Sequence, residues 1–160
     1  MAKIVVAMSG GVDSSLAAAL LKEAGHDVIG VTLHLWDDDG DSRLAESLCC
    51  SQEIAESARR VCAQLDIPYY VFNYQREFRK HVVEYFLSEY ARGYTPNPCL
   101  ACNRDLKFRA LLTRALGLGY EYVATGHYAQ VRPVGIAPEA RFEHAGDSSV
   151  RYELLRAVDM

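Results

Sequence analysis

The chain has 160 residues, of which 50% are apolar and 24% charged, and its formal net charge is −4. This length fits one compact domain with a real core, and the composition excludes a disordered chain. No run approaches the roughly 20 apolar residues of a membrane span, and a secretory signal is not evident, so we expect a cytoplasmic protein with no membrane partner. Five cysteines, an odd number, favour thiol chemistry or metal binding over a disulfide scaffold.

A phosphate-binding loop is predicted near the start of the chain. An apolar run at residues 3–8 predicts a strand, residues 16–24 predict a helix, and SGGVDSS at 9–15 lies between them. Paired glycines let several backbone N–H groups converge on one anion, and the following helix adds its positive end. The lysine and spacing of a Walker loop are missing. The segment resembles instead the S-G-G-x-D-[ST] loop of PP-loop ATP pyrophosphatases.

Asp13 is the acidic residue of this loop. We interpret it as a catalytic residue that binds magnesium or orients the loop. The alternative is a helix N-cap, and one carboxylate can serve both purposes.

The remaining chain alternates predicted strands and helices. Strands are predicted at 27–35, 69–73 and 121–125, and helices at 51–65, 76–90 and 106–116. Such repeats predict an α/β fold with a doubly wound, mostly parallel, Rossmann-like sheet. The resemblance to PP-loop ATP pyrophosphatases implies the HUP type of this fold. The loops after strands of such a sheet face one crevice. The acidic run at 37–42 is interpreted as a surface loop in preference to a set of magnesium ligands.

A second chemical centre is predicted at residues 95–108, TPNPCLACNRDLKF. Its two prolines predict a rigid, non-helical approach that presents the thiols. If Cys102 lies near the start of the next helix, the helix dipole, Arg104 and Lys107 favour its thiolate. A C-x-x-C pair alone is compatible with a zinc site, a redox pair, an iron–sulfur site or a catalytic thiol. Cys62 is interpreted as a small core residue.

Basic residues form two clusters, which matters because an acidic chain binds nucleic acid only where basic residues gather. The first cluster is interpreted as a solvated helix face. For the second, a solvated face and a binding surface are equally good interpretations. The clusters are Arg76, Arg79 and Lys80, and Arg104, Lys107, Arg109 and Arg114.

Three motifs together resemble a known family. They are AMSGGVDS at 7–14, TPNP at 95–98 continuing through CN at 102–103 to KF at 107–108, and TGHY at 125–128. They occur in the same order in tRNA-specific 2-thiouridylases, and the resemblance covers most of the chain.

The resemblance implies ATP and Mg²⁺ as cofactors and assigns the site residues by position. Cys102 would be the nucleophile, and Leu33 would meet adenine through its backbone. Many members have aspartate in place of Cys99, and a C-x-x-C version is linked to a 4Fe–4S cluster, for which Cys99 and Cys102 would be ligands. The ATP-binding residues implied are Ala7, Met8, Ser9, Gly10, Gly11, Val12, Asp13, Ser14, Leu33 and Gly126, and the residues against the target base are Asn97, Pro98 and Cys99.

The family also implies partners and a division of the chain. The partners would be a tRNA with a wobble uridine and a sulfur donor such as a cysteine desulfurase or sulfur relay protein. Residues 1–134 would form the adenylation domain, and 135–160 a loop and strand leading into a tRNA-binding region that this chain lacks. A separate chain would supply that region if the enzyme is split. The alternatives are another PP-loop adenylating enzyme, such as an amide-forming ligase or an iron–sulfur-dependent thiolase, and a non-catalytic nucleotide-binding module.

Overall fold

The computed structural model describes residues 1–36, 52–135 and 150–156. The acidic run at 37–42, Cys49, Cys50 and residues 136–149, for which a loop was predicted, lie outside the described residues. The chain divides into two compact units, Met1–Gly126 and His127–Met160. The proposed adenylation domain at 1–134 stays a prediction.

The first unit is built on a four-stranded parallel sheet. Its strands are β1 (Lys3–Ala7), β2 (Asp27–His34), β3 (Tyr69–Asn73) and β4 (Tyr122–Ala124), in the order β3-β2-β1-β4. All three strand pairs are parallel, which confirms the predicted sheet. The chain moves outward from β1 through β2 to β3 and then returns to the other side of β1. This reversal between β1 and β4 is the point where ligands bind in open α/β sheets.

Helices cover both faces of this sheet. The first two are α1 (Val12–Glu23) and α2 (Gln52–Gln64). The third, α3, comprises Gln75–Phe78, the π-helical turns Arg79–Val83, and Glu84–Ala91. The fourth, α4, comprises Pro98–Cys102, the π-helical turns Asn103–Ala110, and Leu111–Gly117. Turns of the π type are rare and are frequently found at functional sites.

Two hydrophobic clusters explain why the sheet is buried on both faces. Alternate residues of a strand point to opposite faces, so Val5 joins one cluster while Ile4 and Val6 join the other. The cluster with α1 and α2 contains Ile4, Val6, Met8, Ala18, Val28, Ala58, Cys62 and Ile67. The cluster with α3 and α4 contains Val5, Ile29, Val31, Leu33, Leu35, Phe72, Tyr74, Val82, Ala101, Cys102, Leu106, Leu111 and Ala115.

Gly30 of β2 and Cys62 of α2 are matched in size. A Cβ atom on Gly30 would collide with Sγ of Cys62 and lie 3.1 Å from Cγ of Met8. Cys62 is fully buried, and burial raises the pKa of its thiol. The interpretation of Cys62 as a core residue is therefore confirmed.

Tyr90 differs from its expected position. Its helical spacing in the predicted helix at 76–90 predicts an inward side chain, but Tyr90 is 66% exposed.

The second unit contains an antiparallel pair, β5 (Ala129–Pro133) and β6 (Tyr152–Arg156). The register runs from Ala129 opposite Arg156 to Pro133 opposite Tyr152. Arg132 and Glu153 are directly opposite, and their side chains form an ion pair of 3.3 Å. β5 was not predicted, because its five residues carry too little pattern without the distant partner strand that completes it.

Candidate functional site

Gly10 and Gly11 shape the loop between β1 and α1. Gly10 has φ of +71°, and a Cβ atom there would lie 2.8 Å from the carbonyl oxygen of Ile54. Conformation and space therefore both require glycine at this position. Gly11 is the N-cap of α1, and Asp13 lies within the first turn. The prediction that Asp13 is the N-cap is wrong, because the helix begins earlier than its apolar run suggests.

Hydrogen bonds of the three serines stabilise the conformation of the loop. The hydroxyl of Ser14, which is 2% exposed, accepts from the backbone N–H of Ser9 at 3.2 Å and donates to the carbonyl of Gly11 at 3.1 Å. Ser9 Oγ lies 3.1 Å from Ser14 Oγ, and Ser15 Oγ donates to the same Gly11 carbonyl at 2.8 Å. Ser14 thus holds the loop's shape, while Ser9, Gly11 and Asp13 are exposed.

Hydrogen bonds to β2 and α2 hold the loop in place. The backbone N–H of Met8 donates to the carbonyl of Val31 at 2.8 Å, and Thr32 Oγ1 donates to the carbonyl of Met8 at 3.0 Å. From α2, Ser57 Oγ donates to the carbonyl of Gly10 at 3.3 Å. Donors held in place in this way need little reorganisation when an anion binds.

Gly126 follows β4 and lies against the first turn of α1. A Cβ atom on Gly126 would be 2.7 Å from the backbone nitrogen of Ser14 and 2.8 Å from the carbonyl carbon of Asp13. The contact lies at the switch point between β1 and β4. The structure therefore brings Gly126 to Asp13 and Ser14, which the resemblance also assigns to ATP and which lie more than 110 positions earlier in the sequence.

Leu33 occupies the C-terminal part of β2. It lies beyond the last β1–β2 register pair, Ala7 with Val31, and its side chain is 6% exposed. The carbonyl of His34 accepts from Tyr74, so the backbone groups of even-numbered residues face β3. Peptide groups alternate along a parallel strand, and the backbone of Leu33 therefore faces the side on which β1 has ended.

The C-x-x-C segment is helical. Oδ1 of Asn97 accepts from the backbone N–H groups of Cys99 at 2.9 Å and Leu100 at 3.3 Å, and Pro98 is the first residue of α4. Residues 94–97 are non-helical, in agreement with the predicted approach, but both cysteines are helical because the helix begins at Pro98 and proline is favoured at the first helical position. Cys99 is exposed, but Cys102 is only 7% exposed and belongs to the core cluster.

Two arginines converge on one carboxylate just after the cysteines. Arg104 binds Asp105 through Nε at 3.1 Å and Nη2 at 2.8 Å, and Nη1 of Arg109 lies 3.7 Å from Oδ1 of Asp105. The hydrogen bond from Arg104 lowers the pKa of Asp105. The Asp105 side chain is 10% exposed, whereas Arg104 and Arg109 are 68% and 77% exposed. The guanidinium predicted to favour a Cys102 thiolate is thus paired with a carboxylate.

A groove that the sequence did not reveal lies between the end of β2 and α3. Its volume is about 340 Å³. The ring of Trp36 packs edge-on against Phe78 at 6.2 Å, and the amide nitrogen of Gln75 lies 3.0 Å from Nε2 of His34. The groove is lined by Leu35, Trp36, Gln75, Arg79, Val83, Glu84 and Leu87.

Within the described residues, no group of three or more His, Cys, Asp or Glu side chains is placed to hold a metal ion. Cys99 and Cys102 provide two thiols, half of what a 4Fe–4S cluster requires. Over the same described ranges, no helix is both long and apolar enough to cross a membrane.

Sheet order, strand direction and a glycine-rich loop at the switch point define a nucleotide-binding α/β domain of the HUP class. The family model described as the tRNA methyl transferase HUP domain matches residues 2–160, and the chain belongs to that family. The crystal structure of a predicted subunit of tRNA methyltransferase from Methanocaldococcus jannaschii shares the fold. Its TM-score is 0.51 at 18% identity, over 79% of this chain and 53% of that one.

Sequence relatives are much more similar. The chain is 69% identical to a protein of Roseiflexus sp. (strain RS-1) and 70% identical to one of Roseiflexus castenholzii, both named tRNA-specific 2-thiouridylase MnmA. Each match covers 99% of this chain and 43% of the relative. The chain therefore spans less than half the length of these relatives.

Proposed function

We propose that this chain is the ATP-dependent adenylation part of a tRNA 2-thiouridylase. The observation that carries the proposal is the approach of Gly126 to the first turn of α1, where Asp13 and Ser14 follow the glycine loop. The names of relatives 69% and 70% identical to the chain supply the reaction.

The loop would hold the phosphates of ATP. Its backbone N–H groups and the start of α1 supply positive character where the pyrophosphate leaves. Residues 7–15 contain no lysine or arginine, so the anionic charge needs another partner. Asp13 is exposed beside the loop, and Mg²⁺ in phosphate sites commonly takes one or two carboxylates together with phosphate oxygens. The residues present fit such an ion, which would neutralise developing charge.

The start of α4 would receive the target base. Because Oδ1 of Asn97 is engaged as a helix cap, its Nδ2 amino group is the part of this side chain suited to a uridine oxygen. Pro98 and Cys99 are exposed next to it. Leu33 would contact adenine through its backbone.

The proposed reaction has two steps. The C2 oxygen of a wobble uridine attacks the α-phosphorus of ATP, and pyrophosphate leaves. The outer sulfur of a persulfide on Cys102 then attacks C2, and AMP leaves with the oxygen. A thiol of the donor protein attacks Sγ of Cys102 to complete this step, so that the Cys102–sulfur bond breaks, a disulfide forms between the two proteins and 2-thiouridine is released. Because Cys102 is 7% exposed, the second step requires that this turn of α4 open or that the base displace the side chains covering the thiol.

The sulfur would come from a donor protein such as a cysteine desulfurase or sulfur relay protein, and the relatives' additional length would supply the remaining grip on tRNA. A 4Fe–4S cluster would need ligands beyond Cys99 and Cys102, and no step above depends on one.

The deciding experiment measures pyrophosphate and AMP formation from ATP, with and without unmodified tRNA bearing a wobble uridine. We expect tRNA-dependent release that is lost in Asp13→Ala and retained in Glu23→Ala, an acidic residue at the other end of α1. ATP binding without tRNA-dependent pyrophosphate release, even after the relatives' C-terminal region is added, would contradict the proposal.

A second measurement separates the thiols. Cys102→Ser should retain pyrophosphate release and lose sulfur transfer, while Cys99→Ser should retain most of both. An adenylating ligase, by contrast, would be unaffected by either change.

A further inference from the structure

The helices on the two faces of the sheet differ in charge. Residues 75–117, which include α3 and α4, contain eight lysines and arginines and four aspartates and glutamates. Helices α1 and α2 contain three basic and four acidic residues. A chain of net charge −4 therefore carries a segment of net charge +4, and this segment includes the C-x-x-C turn.

Within this segment, Arg104 and Arg109 stand out by their geometry. Both guanidiniums are directed to Asp105, which is nearly buried, while the guanidiniums themselves remain exposed. Pairing through Nε and Nη2 leaves Nη1 of Arg104 for a second acceptor. An arginine held in this way loses less side-chain freedom when it binds a further anion.

The position relative to the cysteines is also informative. Arg104 follows Cys102 by two residues in the same continuous helix, and residues 98–102 pack against the π-helical turns of α3. Tyr85 of α3 is 40% exposed, and after the larger effect of Asp105 its proximity contributes to the raised pKa of the Arg104 guanidinium. An exposed aromatic ring beside arginines is a frequent arrangement in surfaces that bind single-stranded RNA.

We propose that Arg104 and Arg109, held in position by Asp105, bind the sugar–phosphate backbone of the RNA strand whose base reaches the Asn97–Cys102 turn. The inference rests on the proposed function, since it takes the substrate to be RNA. Arg104 and Arg109 contact the phosphates, and Asp105 is a positioning residue.

The test measures the affinity of unmodified tRNA bearing a wobble uridine by fluorescence anisotropy, at several salt concentrations from about 50 to 300 mM. For each lost phosphate contact in a single strand, the slope of log K against log salt decreases in magnitude by about 0.7. We expect this decrease in Arg104→Gln and in Arg109→Gln. The matched control is Arg59→Gln on α2, which removes an arginine paired with Glu56 at 2.7 Å and should leave the slope unchanged.

Asp105→Asn separates positioning from simple charge. The substitution removes a negative charge. If net charge alone attracted RNA, the variant would therefore bind RNA more tightly. If Asp105 positions the arginines, binding becomes weaker despite the added net positive charge. Circular dichroism and melting temperature verify that each variant is folded.

Tighter binding by Asp105→Asn, or wild-type slopes in both arginine variants, would overturn the inference. If these results occur while pyrophosphate release still depends on tRNA, the proposed function stands and only the phosphate contacts are refuted. If neither the wild-type chain nor the chain extended by the relatives' C-terminal region binds tRNA or releases pyrophosphate in its presence, both are refuted.

Discussion

The helices on the two faces of the sheet in the first unit are suited to anions in different ways. On the α1 and α2 side, the loop at 9–15 relies on backbone N–H groups, a helix end and close glycine contacts, with helices of nearly balanced charge. On the α3 and α4 side, exposed arginines, aromatic rings and the C-x-x-C turn share a basic segment. The α1 and α2 side depends on close contacts between backbone atoms, and the α3 and α4 side depends on the charge of its side chains. Substitutions on one side should therefore change one kind of interaction and leave the other unchanged.

The largest expected effect is on the nucleotide side, from Gly126→Ala. The added Cβ would approach backbone atoms of Asp13 and Ser14 within 2.8 Å, and backbone cannot move away as a side chain does. Overpacking costs about 1–3 kcal/mol, and where the loop relieves this strain by leaving its ATP-binding geometry, ATP affinity falls by up to roughly 5- to 150-fold. Isothermal titration measures the affinity. Gly117→Ala is the control, because nothing lies within 4 Å of its added Cβ; equal losses in both variants would refute the spacing argument.

Gly30→Ala tests the core on the same side without touching the loop. Its Cβ would collide with Sγ of Cys62, so we expect destabilisation of about 1–3 kcal/mol in urea unfolding. The second change Cys62→Ala makes room for the new methyl group, so the double variant should be more stable than the two separate losses predict. Strict additivity would show that the two residues do not compete for the same space.

Substitutions of Asn97, at the start of α4, distinguish its helix-capping role from its proposed contact with uridine. Asn97→Ala removes the helix cap and should destabilise the protein by about 1 kcal/mol, whereas Asn97→Asp keeps an accepting oxygen and the cap. Both variants lack the amide donor proposed for uridine, so both should lose thiolation of tRNA. Full thiolation by Asn97→Asp would leave Asn97 with its capping role alone.

The smallest effect concerns the ion pair on α2. The hydrogen bond from Arg59 lowers the pKa of Glu56 from 4.5 to about 2. Because this carboxylate is more acidic in the folded state, its contribution is present above about pH 4.5 and lost as the pH falls through about 2. The Tm difference between wild type and Glu56→Gln should be small, since the pair is exposed, and should shrink over that interval. A difference that grows towards pH 2 would contradict the assignment to this pair.

The sheet and the loop could be predicted because their signals are local. Strand β3 coincides with the predicted residues 69–73, and the glycine loop needs only the run around Gly10. The start of α4 was missed although Asn97 followed by Pro98 is a helix-start signal, because the prolines were interpreted as helix breakers. The burial of Cys102 and the contact of Gly126 with α1 depend on packing between distant segments, which a local pattern does not determine.

The uneven distribution of charge has a kinetic consequence. A domain whose α3–α4 segment is positive while the chain as a whole is negative is attracted to a polyanion by one side and repelled by the rest. Encounters would therefore be oriented before any contact forms, and the association rate constant would fall steeply as ionic strength rises. The acidic remainder would at the same time shorten encounters in other orientations, so that a polyanion would stay bound only when it meets the α3–α4 segment.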